Sequence, residues 1–402
     1  MDNREFIRRK SGGSVRRPSR RNGPPRILWV LLALAVLAAI FLLIFFFRKN
    51  PGNGEEEGTG SVPEPTPPVS DSSNLASEPS STMATPEPPS AAMPDQSYPD
   101  SAPTDMGSFM IAEGKGYDYY KFSEENTNNF ILAVDNAAKS LPSSVNFYSV
   151  IIPTSMDVTL QESYLVDNQV DSSDQRKAID SYIYPSISAM APSVKTVPTF
   201  NPLREHCNEY IYFNSDRTWT QLGAYYVYRS FCSVKSIEPV SLDSLTKKEY
   251  EGFSGGFYGE SSSDSLYTDT VEAYFPGGNT SLSFTDSEGS QYENWAVIAD
   301  GDGYDASLLY LIFAAGDQPY KLLENSDITD SSACVVVQDS YGNYFIPFLT
   351  QHYQKVYVVD YRSYSYSVPE LVSESSATDI ILMTNVLATS SSSTSESLNS
   401  IF

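Results

Sequence analysis

The sequence predicts an α/β domain: a mostly parallel sheet flanked by helices and carrying a β excursion, set behind one N-terminal transmembrane helix and a disordered linker. Three observations carry that reading. Apolar strand-like runs alternate with helical patterns from Phe109 to Met383. An uninterrupted apolar run spans Ile27 to Phe47, and a Pro/Ser/Glu-rich stretch separates it from the alternating region.

The first 26 residues form a basic tail that carries nine Lys and Arg residues against Asp2 and Glu5. Residues 27–47 then give 21 apolar positions, about the length that crosses a bilayer as a helix. A cleavable signal peptide is the competing reading, but its apolar core is shorter and ends in a small-residue cleavage site, whereas this run ends Phe45-Phe46-Phe47-Arg48-Lys49. The positive-inside rule places the N-terminus in the cytoplasm and the long remainder outside, as a single-pass plasma-membrane protein. Residues 48–107 are poor in aliphatic residues and read as a disordered, acidic tether, because such a composition cannot bury enough surface to fold.

The extracytoplasmic domain is expected over residues 108–388. A helix is predicted from Asn126 to Ala138, a buried strand from Val145 to Ile152, and a helix from Arg176 to Met190 with Ile179, Ile183 and Ile187 near one face. Tyr210 to Phe213 reads as a short strand, and Thr220 N-caps a helix that reaches Phe231. Short β runs with Gly-containing turns over residues 265–323 form the excursion. Ala333 to Val337, Val356 to Tyr361 and Ile380 to Met383 are three further buried strands, and the Ser-rich residues 389–402 read as a disordered tail.

Charge narrows the partners. Of 26 basic and 50 acidic residues, 11 and 2 lie in the first 49 positions, so the remainder carries a net charge of −33. Nucleic acid is excluded as a partner of such a surface. Three cysteines do not make a disulfide scaffold or a cysteine metal site, although Cys207 and Cys232 flank one motif closely enough for pairing to stay open. Asp300-Gly301-Asp302-Gly303-Tyr304-Asp305 lacks the glycine at the sixth place and the glutamate at the twelfth that a calcium loop needs, so a solvated turn is expected. No phosphate loop or zinc motif is present, and neither metal nor cofactor is implied.

Two segments carry chemistry. Asn214-Ser215-Asp216-Arg217-Thr218-Trp219-Thr220 leads into Leu222-Gly223-Ala224-Tyr225-Tyr226, and Gln338-Asp339-Ser340-Tyr341-Gly342-Asn343 follows a buried strand and leads to Ile346-Pro347-Phe348-Leu349 and Asp360-Tyr361-Arg362. Together they resemble the bacterial family named for its Asp-His-His-Trp motif, the DHHW family. That family is a branch of the SGNH hydrolase-like superfamily related to polysaccharide O-acetylation proteins. The resemblance implies an SGNH-type fold and a serine that attacks an ester carbonyl while a histidine takes its proton and an aspartate orients the imidazole. Carried over by position, Ser340 matches the nucleophile and Asp216 the aspartate, while Thr218 stands where the family has its histidine. A threonine hydroxyl cannot act as a general base at neutral pH. Trp219, Gly316, Asp317, Tyr341 and Asn343 are the expected substrate-binding residues, with Asp317 in place of the asparagine of the family's glycine-rich segment. His352 falls in the family's Leu-x-x-His-Tyr pattern and reads as structural; His206 precedes the Asp216 segment. The expected partner is a cell-envelope polysaccharide or an envelope protein, handled by a catalytically impaired domain. An active esterase or O-acyltransferase using Ser340 is the alternative.

Overall fold

The computed structural model describes residues 93–402. The expected transmembrane helix, basic tail and most of the linker lie outside the described residues. No helix among the described residues is long and apolar enough to cross a membrane.

An eight-stranded sheet organises the domain. Its order is Val194–Thr196, Asn146–Ile152, Asp379–Asn385, Ala333–Gln338, Lys355–Asp360, Tyr320–Asn325, Thr280–Thr285, Gln291–Trp295. The first five run parallel. Tyr320–Asn325 then pairs antiparallel on both sides, so the β excursion returns to the sheet as an antiparallel edge. The Val-Val-Val and Ile-Ile-Leu runs of the central strands follow from burial on both faces: Val335 and Val337 pack on one side, and Cys334 and Val336 on the other. One face carries the helices Gln221–Lys235 and Gly342–Leu349; the other carries Glu124–Ser140, Tyr184–Met190 and Val368–Ser375. Thr220 caps its helix by accepting from Gly223 N, as the sequence predicts.

Three expectations need correction. Ordered structure begins ahead of Ser108: Ser97 bridges to Leu160, and Gln96 Nε2 donates to the carbonyl of Asp157 at 2.7 Å. Tyr210 to Phe213 makes one antiparallel bridge, Tyr212 to Trp219, and no strand, because its backbone is used up in local bonds: Phe213 N donates to the Thr218 carbonyl, and the Ile211 carbonyl accepts from Thr220 N. The Ser-rich terminus is not disordered. Ser392–Ile401 forms a helix that lies against Glu124–Ser140, burying Leu398 and Ile401, and Asn136 Nδ2 donates to Asn399 Oδ1 at 3.1 Å. Serine composition hid an apolar pair three residues apart, which is enough to seat one helical turn on a neighbour.

Removing residues 392–402 strips that apolar cover from Phe130, Val134 and Phe147. We expect the truncated chain to lose about 3–5 kcal/mol, the scale of deleting two buried aliphatic side chains, read as a fall of roughly 10 °C in the thermal midpoint. A midpoint equal to that of the full chain would show the helix to be dispensable.

Candidate active site

Ser340 sits just past the carboxyl end of the Ala333–Gln338 strand, before the helix Gly342–Leu349, where side chains at the tip of a parallel strand face a crevice. Its neighbour fixes the turn. The buried Asp339 carboxylate accepts from Asn385 N at 2.9 Å, Asn385 Nδ2 at 2.8 Å and Tyr341 N at 3.1 Å. Gly342 is required by close approach, since a Cβ there would stand 2.1 Å from Gln338 Oε1. The Ser340 hydroxyl donates to Asp317 Oδ2 at 2.6 Å, and Arg362 Nη1 donates to Ser340 Oγ at 3.2 Å. Arg362 also reaches Asp317 Oδ2 at 3.1 Å, and its Nε is fixed by Asp360 Oδ1 at 2.8 Å. Asp317 Oδ1 accepts from Asn343 Nδ2 at 2.7 Å. Burial alone would raise the Asp317 pKa, but Arg362, the Ser340 hydroxyl, Lys321 and Asn343 outweigh it and hold it below the usual carboxylate value.

The Asp216 segment forms the opposite wall. One carboxylate from the Asp269–Phe275 strand holds it: Asp269 accepts from Asn214 N and Nδ2 and from Ser215 N, each at 2.8 Å, and from the hydroxyls of Tyr210 and Ser215. So constrained, the loop turns Asp216 and Thr218 to the same side. Asp216 Oδ1 accepts from Thr218 N at 2.9 Å and Thr218 Oγ1 at 2.8 Å, and Oδ2 accepts from Gly256 N at 2.7 Å. Gly255 leaves room for that approach; a Cβ there would lie 2.3 Å from Asp216 Cβ. Thr218 Oγ1 also lies 3.3 Å from the Tyr344 hydroxyl. Its hydroxyl is therefore engaged with Asp216 and Tyr344, and Ser340 turns instead to Asp317.

Both walls enclose a cavity of about 530 Å³ lined by Asp216, Thr218, Tyr310, Asp317, Ser340 and Arg362 among others. Tyr341 and Asn343, expected at the site, line it too. Trp219 does not: it is fully buried, and its Nε1 donates to the Tyr341 carbonyl at 2.8 Å, so the indole braces one motif against the other. Gly316 is also outside the lining; it turns the chain at φ +67°, with Leu311 packed where a Cβ would be. Neither remaining histidine lines the cavity. His206 stacks on Tyr226 and bonds Glu209, and His352 bonds the Tyr228 hydroxyl at 2.5 Å. Cys207 and Cys232 are free and buried, and Asp300 pairs with Lys248 at 2.8 Å. Residue types alone did not assign a role to Arg362, although it closes the second motif as Asp360-Tyr361-Arg362. Lys321 and Tyr344 were hidden in strand and helix patterns.

The family model described as DHHW protein matches residues 94–359. The chain belongs to the DHHW family. A DHHW family protein from Eubacterium siraeum has the same fold: the two chains are 22% identical with a TM-score of 0.65, over 74% of this chain and 96% of that one. Bacillus cereus PatB1 is similar at 16% identity and a TM-score of 0.55, over 73% of this chain and 98% of that one. A second PatB1 structure, with a sulfonyl adduct, gives 14% identity and the same TM-score. No curated protein sequence matches. The mixed α/β fold expected of this chain, a mostly parallel sheet flanked by helices, is thus the one found.

Arg217, at the first histidine position of the family motif, has a structural task. It lies over the Phe257 ring, pairs with Glu260 at 2.8 Å, and sits 3.5 Å from the buried Asp118. Burial outweighs the opposing pull of Arg217 and raises the Asp118 pKa from 3.8 to about 6. A carboxyl whose folded pKa is raised weakens the fold as pH climbs from about 4 to about 6, and the penalty is complete above 6. Asp118→Asn should therefore stabilise the domain at pH 7 by on the order of 2–3 kcal/mol. The gain should shrink towards zero at pH 4. A gain independent of pH in thermal melts would contradict this assignment.

Proposed function

We propose that this DHHW protein is a single-pass plasma-membrane protein whose extracytoplasmic domain engages a cell-envelope polysaccharide in the Ser340 cavity, with its acyl chemistry impaired. The observation that carries the impairment is the pairing of the serine. Its proton is directed to Asp317, while the position of the family's histidine holds a threonine bonded to Asp216. Loss of a triad histidine costs on the order of 10⁴–10⁶ in rate. Family membership, the cavity of about 530 Å³ and its mixed lining of Tyr310, Asn343 and carboxylates support a polyhydroxylated ligand. The basic N-terminal tail and the 21-residue apolar run support the anchor and its orientation.

Full-length protein in detergent should cosediment with purified cell-wall polysaccharide, and Ser340→Trp, which fills the cavity, should abolish this while leaving the thermal midpoint near that of the parent. Equal retention of both proteins would remove the cavity from the reading. Thr218→His is the informative gain-of-function change, because it leaves Arg217 paired with Asp118 and Glu260. Hydrolysis of 4-methylumbelliferyl acetate should rise at least tenfold over the parent, against the full triad effect of about 10⁴ or more.

Orientation is tested separately. Protease added to intact cells should remove the C-terminal domain and spare the first twenty residues, whereas a protected domain would reverse the topology.

A further inference from the structure

Of the three carboxylates that line the cavity, Asp216, Asp317 and Asp339, it is Asp317, which the family's triad does not require, that touches the nucleophile. We propose that Asp317 is the general base of a residual serine acyl transfer in this protein, with Arg362 receiving the charge that develops at the carbonyl oxygen. This rests on the reading of the Ser340 cavity as an acyl-handling site.

Geometry comes first. A base must lie within hydrogen-bond reach of the proton it takes, and Ser340 Oγ donates to Asp317 Oδ2 at 2.6 Å. That distance is typical of a hydroxyl bonded to an ionised acceptor. Asp317 is oriented as a triad base would be, its other oxygen held by Asn343 Nδ2 at 2.7 Å. Asn343 is fixed in turn by Lys321 Nζ at 2.5 Å and Gln338 Nε2 at 2.7 Å. Arg362 Nη1 lies 3.2 Å from Oγ, within reach of the oxygen of a carbonyl under attack there. Its Nε is anchored on Asp360 at 2.8 Å, which leaves Nη1 directed at the reacting serine.

The step balances without any further reagent beyond an ester and an acceptor hydroxyl. Ser340 Oγ bonds to the ester carbonyl carbon as its proton passes to Asp317 Oδ2. The carbonyl π pair moves to oxygen beside Arg362. Collapse breaks the bond to the leaving alkoxide, which takes the proton back from Asp317 and leaves an acyl-serine. Water or a sugar hydroxyl then attacks the acyl carbon, passes its proton through Asp317, and the proton returns to Ser340 as the alkoxide leaves. Asp317 is a weaker base than an imidazole, so turnover is slow.

The groups facing Asp317 set its titration. Arg362 comes from the loop after the Lys355–Asp360 strand, Lys321 from the neighbouring strand, Ser340 and Asn343 from the nucleophile segment, and Tyr310 and Tyr344 from the remaining walls. Burial opposes ionisation, but the two cations and the hydrogen bonds prevail and keep Asp317 charged at neutral pH. A base of this kind is lost only when pH falls below the ordinary carboxylate range, near 4. An imidazole base would be lost near 6.5.

The test uses the full chain in detergent, with hydrolysis of 4-methylumbelliferyl acetate and labelling of Ser340 by a small sulfonyl fluoride read by mass spectrometry. Parent turnover should be slow, abolished in Ser340→Ala, and flat from pH 7 to pH 5, below the Lys321 titration at about 8, with its acid limb near or below 4. Asp317→Asn should lower kcat at least tenfold, and Asp317→Glu should recover part of it. An acid limb near 6.5, or Asp317→Asn as active as the parent, overturns the assignment. So does the absence of any Ser340-dependent turnover or labelling in the parent, which leaves polysaccharide binding by the cavity standing. Should Asp317→Asn fail to fold, the pH profile of the parent decides alone.

Discussion

A buried ammonium governs the chemistry of this cavity. Lys321 is 1% exposed on the Tyr320–Asn325 strand, one strand removed from the strand that leads to Ser340, and burial draws its pKa down to about 8, against the pull of Asp317 and Asp360. A lysine so placed needs acceptors. It takes the Asn343 carbonyl oxygen, which Gln338 Nε2 also occupies, and that fixes which way the amide faces. Asn343 can then only offer Nδ2 outward, and Asp317 accepts it. One carboxylate oxygen remains, and it is the one that receives Ser340 and Arg362. The partner of the serine is thus decided two residues away, by a charge that never reaches solvent.

The opposite wall is stabilised independently of any chemistry it performs. Asp269 satisfies three backbone or amide N–H groups and two hydroxyls of the Tyr210–Ser215 segment, and Trp219 ties the segment to the Tyr341 carbonyl. None of these bonds involves an imidazole. The loop therefore keeps its shape with Thr218 in place of a histidine, and Asp216 finds replacement donors in Thr218 and Gly256. The shape of the loop is thus maintained by residues other than the one at position 218.

The sheet was legible because its central strands are buried on both faces, which leaves continuous apolar runs such as Ala333-Cys334-Val335-Val336-Val337 that few other structures require. The placement of Ser340 followed from that run. What stayed hidden depended on partners distant in sequence. The Tyr210 segment has the residue types of a strand, but its backbone bonds back to Thr218 and Thr220, and Asp269, 55 residues beyond Asn214, holds the Asn214 and Ser215 amides that follow it. Trp219 has the residue type of a ligand contact, yet its environment is set by Tyr341, 122 residues away. The terminal helix rests on Leu398 and Ile401 among serines, a pattern too sparse to register without the groove it fills.

Asp317 shows how a substitution changes meaning with its surroundings. Read alone, a carboxylate in place of an asparagine puts repulsion beside a developing oxyanion. In the folded chain that charge is already balanced by Lys321 and Arg362, so the field at the serine is that of an ion-paired network instead of an isolated anion. Thr218 and Asp317 then belong together. The first removes a proton acceptor from one wall; the second places one on the other, at hydrogen-bond distance from the same hydroxyl. The two cations prevent the added carboxylate from shedding its charge at neutral pH, and the same cations make it a weak base. Under the proposed role of Asp317, stability of the network and strength of the base are set in opposite directions by one pair of side chains, and that opposition would limit turnover.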